Sequence, residues 1–373
     1  MRLPPSTQRL TPSIAHDTPV GRVAPGATSP PGDGSTTSTQ TELAPRTLAP
    51  RTSGSTPPVG TDLSAGTGRG ARDTAAAGLV REALAGWGRL DAATLRAHTR
   101  GVAEALYQPK GAANQAFDAV GRVAHGVDVE AIARAPVFSM YLSGPGAADA
   151  LVAAGVALAH DVPSIYLCHS RKDLPWFLRE ADQSHPGRVQ ILEAATVDGL
   201  ASALHALEPS TFTRAPAAAD APPLHTFIGC LMTGLSEAQY TEGRAQLLAI
   251  HTTLSERLGS PNNHCEGIMV ASTSSFGTPK ESLLMDERAI RGAERCIFYQ
   301  YDDASRPSGM WVEAGIALGL GKPSTFLVPN LGGTPPGLSA LAGPSVELVT
   351  YGDHAALATL LAERPAALLP SGA

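Results

Sequence analysis

One carboxylate interrupts an otherwise apolar run at 310–320 (MWVEAGIALGL), and it is Glu313. A helix that is apolar all round is buried on most faces. An ionised carboxylate there is costly unless it is paired or hydrogen-bonded. Two readings stand side by side. Glu313 either complements the dipole in the first turn of its helix beside solvent, or it is a nucleophile held at the carboxyl edge of a sheet. Asp302 and Asp303 follow the apolar stretch 295–301 (RCIFYQY). There they would meet a sugar hydroxyl or a base, or simply cap the next helix. Gly229 and Gly234 flank the end of 225–231 (HTFIGCL), with Thr233 between them and Ser236 after. Glycines at such a place let backbone approach a ligand, though ordinary turns use the same residues. Ser308 and Gly309 open the Glu313 helix with amide donors. Trp311 offers a ring for stacking on a base or for filling the core.

Other chemistries lack their motifs. In Gly321-Lys322-Pro323-Ser324 a proline follows the lysine and the segment follows a helix, so it is not a P-loop. No GxGxxG, HExxH or GxSxG occurs. His264 and Cys265 are adjacent but have no partner ligands nearby in sequence. The cysteines Cys168, Cys230, Cys265 and Cys296 show no CxxC spacing. No metal and no cofactor is expected.

These residues need a scaffold, and the patterning supplies one. Strands are predicted at 136–143, 164–168 and 188–192, alternating with helices at 147–160, 174–183 and 197–207. A second run has strands at 225–231, 267–271 (GIMVA), 295–301, 325–328 and 346–350. Its helices are predicted at 237–258, 280–293, 309–319 and 353–363. Alternation of this kind means parallel sheets with crossover helices. The five strands of the second run predict a flavodoxin-like doubly wound α/β domain, whose ligands sit beyond the carboxyl ends of the strands. Ahead of the first strand, helices are predicted over 74–86, 92–108 and 111–125, with Asp73 and Asp91 as N-caps.

The chain has 373 residues, enough for about two domains. Residues 1–72 form a tail. Gly, Pro, Ser and Thr fill 41 of its first 70 positions, with no Phe, Tyr or Trp. Such a segment buries too little apolar surface to offset its chain entropy, so disorder is expected. Residues 73–207 form a helical segment plus a first α/β half, 208–223 a Pro/Ala-rich linker and 224–373 the second α/β domain. Net charge is −6, from 28 basic and 34 acidic residues. That argues against a nucleic-acid or anionic-membrane surface. No apolar run is long enough to span a bilayer, and the first 30 residues lack a signal-peptide core. The cytoplasm is the expected compartment, and association with further copies of the chain stays open.

The halves align without a gap. Residues 154–178 match 314–338 at nine of 25 positions, among them Gly155/Gly315, Pro163/Pro323 and Leu167/Leu327. DVEAIARA (128–135) echoes DERAIRGA (286–293). A duplication with a degenerate first copy is expected, since Ala153 stands where the second copy has Glu313.

The stretch DDASRPSGMWVEAGIALGLGKPSTFLVP (302–329) resembles the active-site segment of nucleoside 2-deoxyribosyltransferases and their N-glycosidase relatives. That segment runs from an acid at a strand end, through Gly-x-x-x-Glu-x-Gly-x-Ala, to Gly-Lys and a strand. Gly309, Glu313, Gly315, Ala317, Gly321 and Lys322 hold those positions. FIGC (227–230) and MDERAIRGAERC (285–296) also fit, so the resemblance covers about 225–350. Two positions depart, with Pro307 for a frequent Asp and Met310 for the usual Thr. A Glu on the matching helix also resembles TIR-like NAD-cleaving domains. The resemblance implies cleavage of an N-glycosidic bond in a nucleoside, nucleotide or NAD. Glu313 would be the nucleophile, and Asp302 or Asp303 would orient the sugar or protonate the base. Gly229, Thr233, Gly234, Ser308, Gly309 and Trp311 would contact substrate. A nucleotide-sensing module without catalysis is the non-enzymatic alternative.

Overall fold

The computed structural model describes residues 90–107, 116–117, 127–142, 148–213, 221–231, 234–270, 272, 275–302, 308–329 and 345–369. All of them lie in one compact unit, Ala65–Ala373. The expected tail, the helix over 74–86 and most of 111–125 fall outside these residues.

The first α/β region opens with α1 (Ala92–Leu106), capped by Asp91, whose side chain accepts from the Thr94 amide. β1 (Ala116–Phe117) and α2 (Val129–Arg134) follow. The region continues with β2 (Phe138–Leu142), α3 (Ala148–Ala159), β3 (Ser164–Cys168), α4 (Ala181–Ser184), β4 (Val189–Glu193) and α5 (Val197–His205). β2, β3 and β4 are parallel, and β1 adds an antiparallel edge. Period-two alternation sorts β2 between two cores. Val137 and Tyr141 join α1 and α5 on one face, while Phe138, Met140 and Leu142 join α3 on the other.

The second region comprises β5 (Leu224–Cys230), α6 (Glu237–Thr252), β6 (Asn263–His264), α7 (Glu266–Met269), α8 (Pro279–Gly292), β7 (Ala293–Tyr299), α9 (Gly309–Gly319), β8 (Ser324–Val328), β9 (Val346–Thr350) and α10 (His354–Glu363). Its five strands are all parallel, in the order β6-β5-β7-β8-β9.

Several expected elements differ. Residues 174–183 are not one helix. Pro175 disfavours helical backbone at Leu174, and the segment breaks into tight turns at Arg171–Asp173 and Trp176–Leu178 followed by α4. The run GIMVA is not a strand. A short apolar run does not distinguish strand from buried helix. Here the strand is β6, just upstream, and Glu266–Met269 coil into one helical turn. The described part of 111–125 is the edge strand β1, not helix. The helix expected to Leu258 ends at Thr252 and widens into a π-turn over Thr253–Arg257.

The helices α3 and α9 are apolar all round because each is covered on both sides. α3 packs on β2 and β3, α9 on β5 and β7, and the two pack on each other. Their contact is reciprocal. A Cβ on Gly155 would run into the carbonyl oxygen of Val312, and one on Gly315 into that of Val152. Both partners are related by the same shift of 160 residues. The bonds leaving each helix repeat at that shift. Val162 N–H donates to Ala157 O at 2.9 Å, and Lys322 N–H to Ala317 O at 2.9 Å. Both turns pass through the left-handed region, at Asp161 (φ 56°) and Gly321 (φ 65°).

Candidate functional site

The carboxyl end of β5, the start of α7, the inner face of α8 and the start of α9 enclose a cavity of about 460 Å³. That size falls among small-molecule sites. β5 lies between β6 and β7, so the cavity adjoins the point where strand order reverses. Open parallel sheets take their ligands there.

Glu313 projects into this cavity from α9. It is the fifth residue of the helix and sits beyond the first turn, so the helix-start reading places it too early. The residue is only 7% exposed. Its Oε2 has no hydrogen-bond partner among the described residues. A Cβ on Gly229 would collide with that oxygen, so glycine on β5 makes the space for the carboxyl.

Two further carboxyls line the cavity, Glu266 and Asp286. The Ser282 hydroxyl donates to Glu266 Oε1 at 2.8 Å. Glu266 and Asp286 interact with one another, and His264 Nε2 stands 3.2 Å from Asp286 Oδ1. Burial pushes Glu266 up to about 7, and the Asp286 charge adds to the effect. Burial also raises Asp286, against the pull of His264. Glu313 is raised well above the usual carboxylate range, first by burial and then by the charges of Asp286 and Glu266. The cluster therefore holds its protons to higher pH than free carboxyls do. Carboxyls with separated proton affinities in one cavity can divide acid and nucleophilic roles.

Five of the residues expected at the site line this cavity: Gly229, Gly234, Ser308, Gly309 and Glu313. Ser308 also caps α9, its hydroxyl accepting from the Met310 amide at 3.3 Å. Trp311 is 1% exposed, does not line the cavity and packs in the core. Asp302 does not line it either, and its carbonyl accepts from Gln300 Nε2 at 2.7 Å. Thr233 and Asp303 lie outside the described residues. Lys322 is committed to structure, donating to the carbonyls of Arg291 at 2.9 Å and Ala293 at 2.6 Å.

Sequence reasoning missed Glu266, Asp286 and the aromatic wall formed by Trp176, Phe177 and Phe276. Asp286 had a signal. Leu283, Asp286 and Ile290 share one face of α8, so helical spacing places this acid on the buried side. Glu266 gave none, because its neighbours read as a strand. Among the described residues no group of three or more His, Cys, Asp or Glu could hold a metal ion. No helix among them is long and apolar enough to cross a membrane. Searches of family models, of curated proteins and of solved structures each found no match for this chain.

Proposed function

We propose that the cavity cleaves the N-glycosidic bond of a nucleoside or nucleotide, as a hydrolase or transferase with Glu313 as nucleophile. The observation that carries this reading is the buried Glu313 oxygen, unpartnered among the described residues, in a cavity that also holds the carboxyls of Glu266 and Asp286. The strand order, numbered within the second region, is 2-1-3-4-5, which supports a flavodoxin-like domain. The reciprocal α3–α9 contact and the repeated turns support a duplication with a degenerate first copy.

In this reading Glu313 gives up its proton to solvent as the ligand enters, and the C1′–N bond then breaks as an oxygen of the carboxylate bonds to C1′. The bonding pair leaves on the base nitrogen, which takes the Glu266 proton. Positive charge develops on the sugar, and a desolvated carboxylate beside it stabilises that charge strongly. The same charge favours ionised Glu313, which burial disfavours. Water or a second base then attacks C1′ and frees Glu313, and the proton lost by the attacking O–H or N–H returns to the Glu266–Asp286 pair. The role expected of Asp302 passes to Glu266 and Asp286, which line the cavity, while Asp303 lies outside the described residues.

The test is base release from deoxynucleosides, nucleoside monophosphates and NAD, by wild type and by Glu313→Gln. Release by wild type that collapses in the variant supports the mechanism. Release unchanged in Glu313→Gln ends it. Release from NAD alone selects the TIR-like reading, and binding without release selects the sensor.

A further inference from the structure

One wall of the cavity comes from the first α/β region. Trp176 and Phe177 line it from the segment 171–184, together with the carboxyls of the second region. This segment is held in shape from within. The Arg171 guanidinium bonds Asp182, at 2.9 Å through one nitrogen and 2.5 Å through another, and also reaches Arg179 O at 2.8 Å. Arg179 bonds the carbonyls of Leu174 at 3.1 Å and Lys172 at 3.1 Å. The segment is also docked onto the second region. His185 Nε2 lies 2.8 Å from Glu287 Oε2 on α8, both side chains being buried. The Lys280 amide donates to Glu180 at 3.2 Å. Phe177 lies against the start of α9, where a Cβ on Gly309 would come within 2.8 Å of it.

Trp176 is placed differently. It is only half-buried and meets Phe276 edge to face, with ring centroids 5.9 Å apart. Phe276 is backed edge-on by Tyr240 at 6.2 Å. Two partly exposed rings therefore face a cavity whose deep end is carboxylic. An aromatic face suits a flat, polarisable ring, whereas the carboxyls suit a centre that gains positive charge.

We infer that Trp176, with Phe276, is a stacking subsite for the planar base of the ligand, so that the first region completes the site in the second. This rests on the glycosidic reading above. It gives 171–184 a role in choosing substrate, beyond packing.

The test follows binding by tryptophan fluorescence and isothermal titration in the full chain. Probes are free adenine, free thymine, the corresponding deoxynucleosides, and ribose 5-phosphate as a ligand without a base. Base-bearing probes should quench the fluorescence, and ribose 5-phosphate should not. Trp176→Leu keeps apolar bulk without the ring and should weaken base-bearing ligands about tenfold or more. Trp176→Phe should restore most of that loss, and both variants should melt near wild type. Equal affinity in Trp176→Leu, with Glu313→Gln still inactive, removes the subsite and leaves the glycosidic reading standing. Stacking that survives while Glu313→Gln is fully active keeps a base-binding site and removes the mechanism. Absence of binding by any base-bearing probe overturns the inference.

Discussion

The two α/β regions share a frame and differ in what surrounds it. Helix α3 and its following strand β3 match α9 and β8 at a constant shift, and the turns between them match bond for bond. Yet the first region has three parallel strands plus a two-residue edge, and the second has five. The extra strands β5 and β6 carry Gly229 and lead into Glu266, which are walls of the cavity. At the position matching Glu313, the first region has Ala153, 1% exposed and packed in the core. A helix of this type is only a support. In the second region the neighbouring strands leave room for a carboxyl and place other carboxyls beside it.

The largest expected effect tests that statement directly. Glu313→Gln should lower turnover on the order of a thousandfold or more. Melting temperature should hold or rise, because a costly buried acid is gone. Ala153→Glu in that background should not restore turnover, since α3 lacks the walls. It should cost at least about 2 kcal/mol by overpacking and unpaired burial. Restored turnover would show that the helix alone makes the site.

The second prediction concerns what joins the regions. Burial pushes the Glu287 carboxyl up, but the bonds and charges of His185 and Arg291 prevail and bring it down to about 2. The stabilisation is complete above the ordinary carboxylate range near 4.5 and is lost as pH falls from there towards 2. His185→Ala should cost about 3 kcal/mol, near the low end for breaking a buried pair, because Arg291 still holds Glu287. Urea unfolding at pH 7 measures the loss. Its pH dependence should flatten on the acid side in the variant, and an unchanged acid limb would contradict this account of the docking.

Much of the frame was legible before the structure. The sequence pattern placed α1, α9 and α10 to within a residue or two, with Asp91 read as the cap of α1. Strand β3 is set by a continuous buried run between turns. The apolar-all-round pattern of α9 reported burial on most faces, though not that α3 covers one of them. Glu313 was legible for the same reason, as a charge on a face with no solvent. The rest of the site was not. Trp176 and Phe177 reach the cavity from more than a hundred positions upstream of Glu313. No local pattern encodes an approach across two regions. Glu266 was obscured by an apolar run that serves strand and helix equally well.

The third prediction sharpens the division of labour in the cavity. The Glu266 carboxyl, raised to about 7 by burial and by Asp286, is neutral below that pH and ionised above it. Base release should therefore fall as pH rises through about 7, and Glu266→Gln should lose on the order of a hundredfold along with that alkaline limb. Stability should respond with the opposite sign to Glu287. A carboxyl that titrates later when folded weakens the fold as pH rises from about 4.5 to 7. The variant should lose that slope in a series of melts. A full alkaline limb in Glu266→Gln would move the acid role to another group.

The smallest expected effect is also the most symmetrical. Gly155 and Gly315 occupy matching places in α3 and α9, and each faces the other helix's backbone. A backbone carbonyl does not swing aside as a flexible side chain does, so a methyl at either position must push the helices apart. Gly155→Ala and Gly315→Ala gain about 1 kcal/mol in helix propensity. Overpacking, about 1–3 kcal/mol, should exceed that gain and leave each variant destabilised by up to about 2 kcal/mol. The double variant should cost less than the sum, because one separation relieves both clashes. Activity distinguishes the regions although stability does not. Displacing α9 moves Glu313 relative to Gly229 whichever helix carries the methyl, so both single variants should lose turnover alike. If Gly155→Ala lost stability but kept full turnover, α3 would be packing for α9 without positioning it, and the likeness between the regions would end at the backbone.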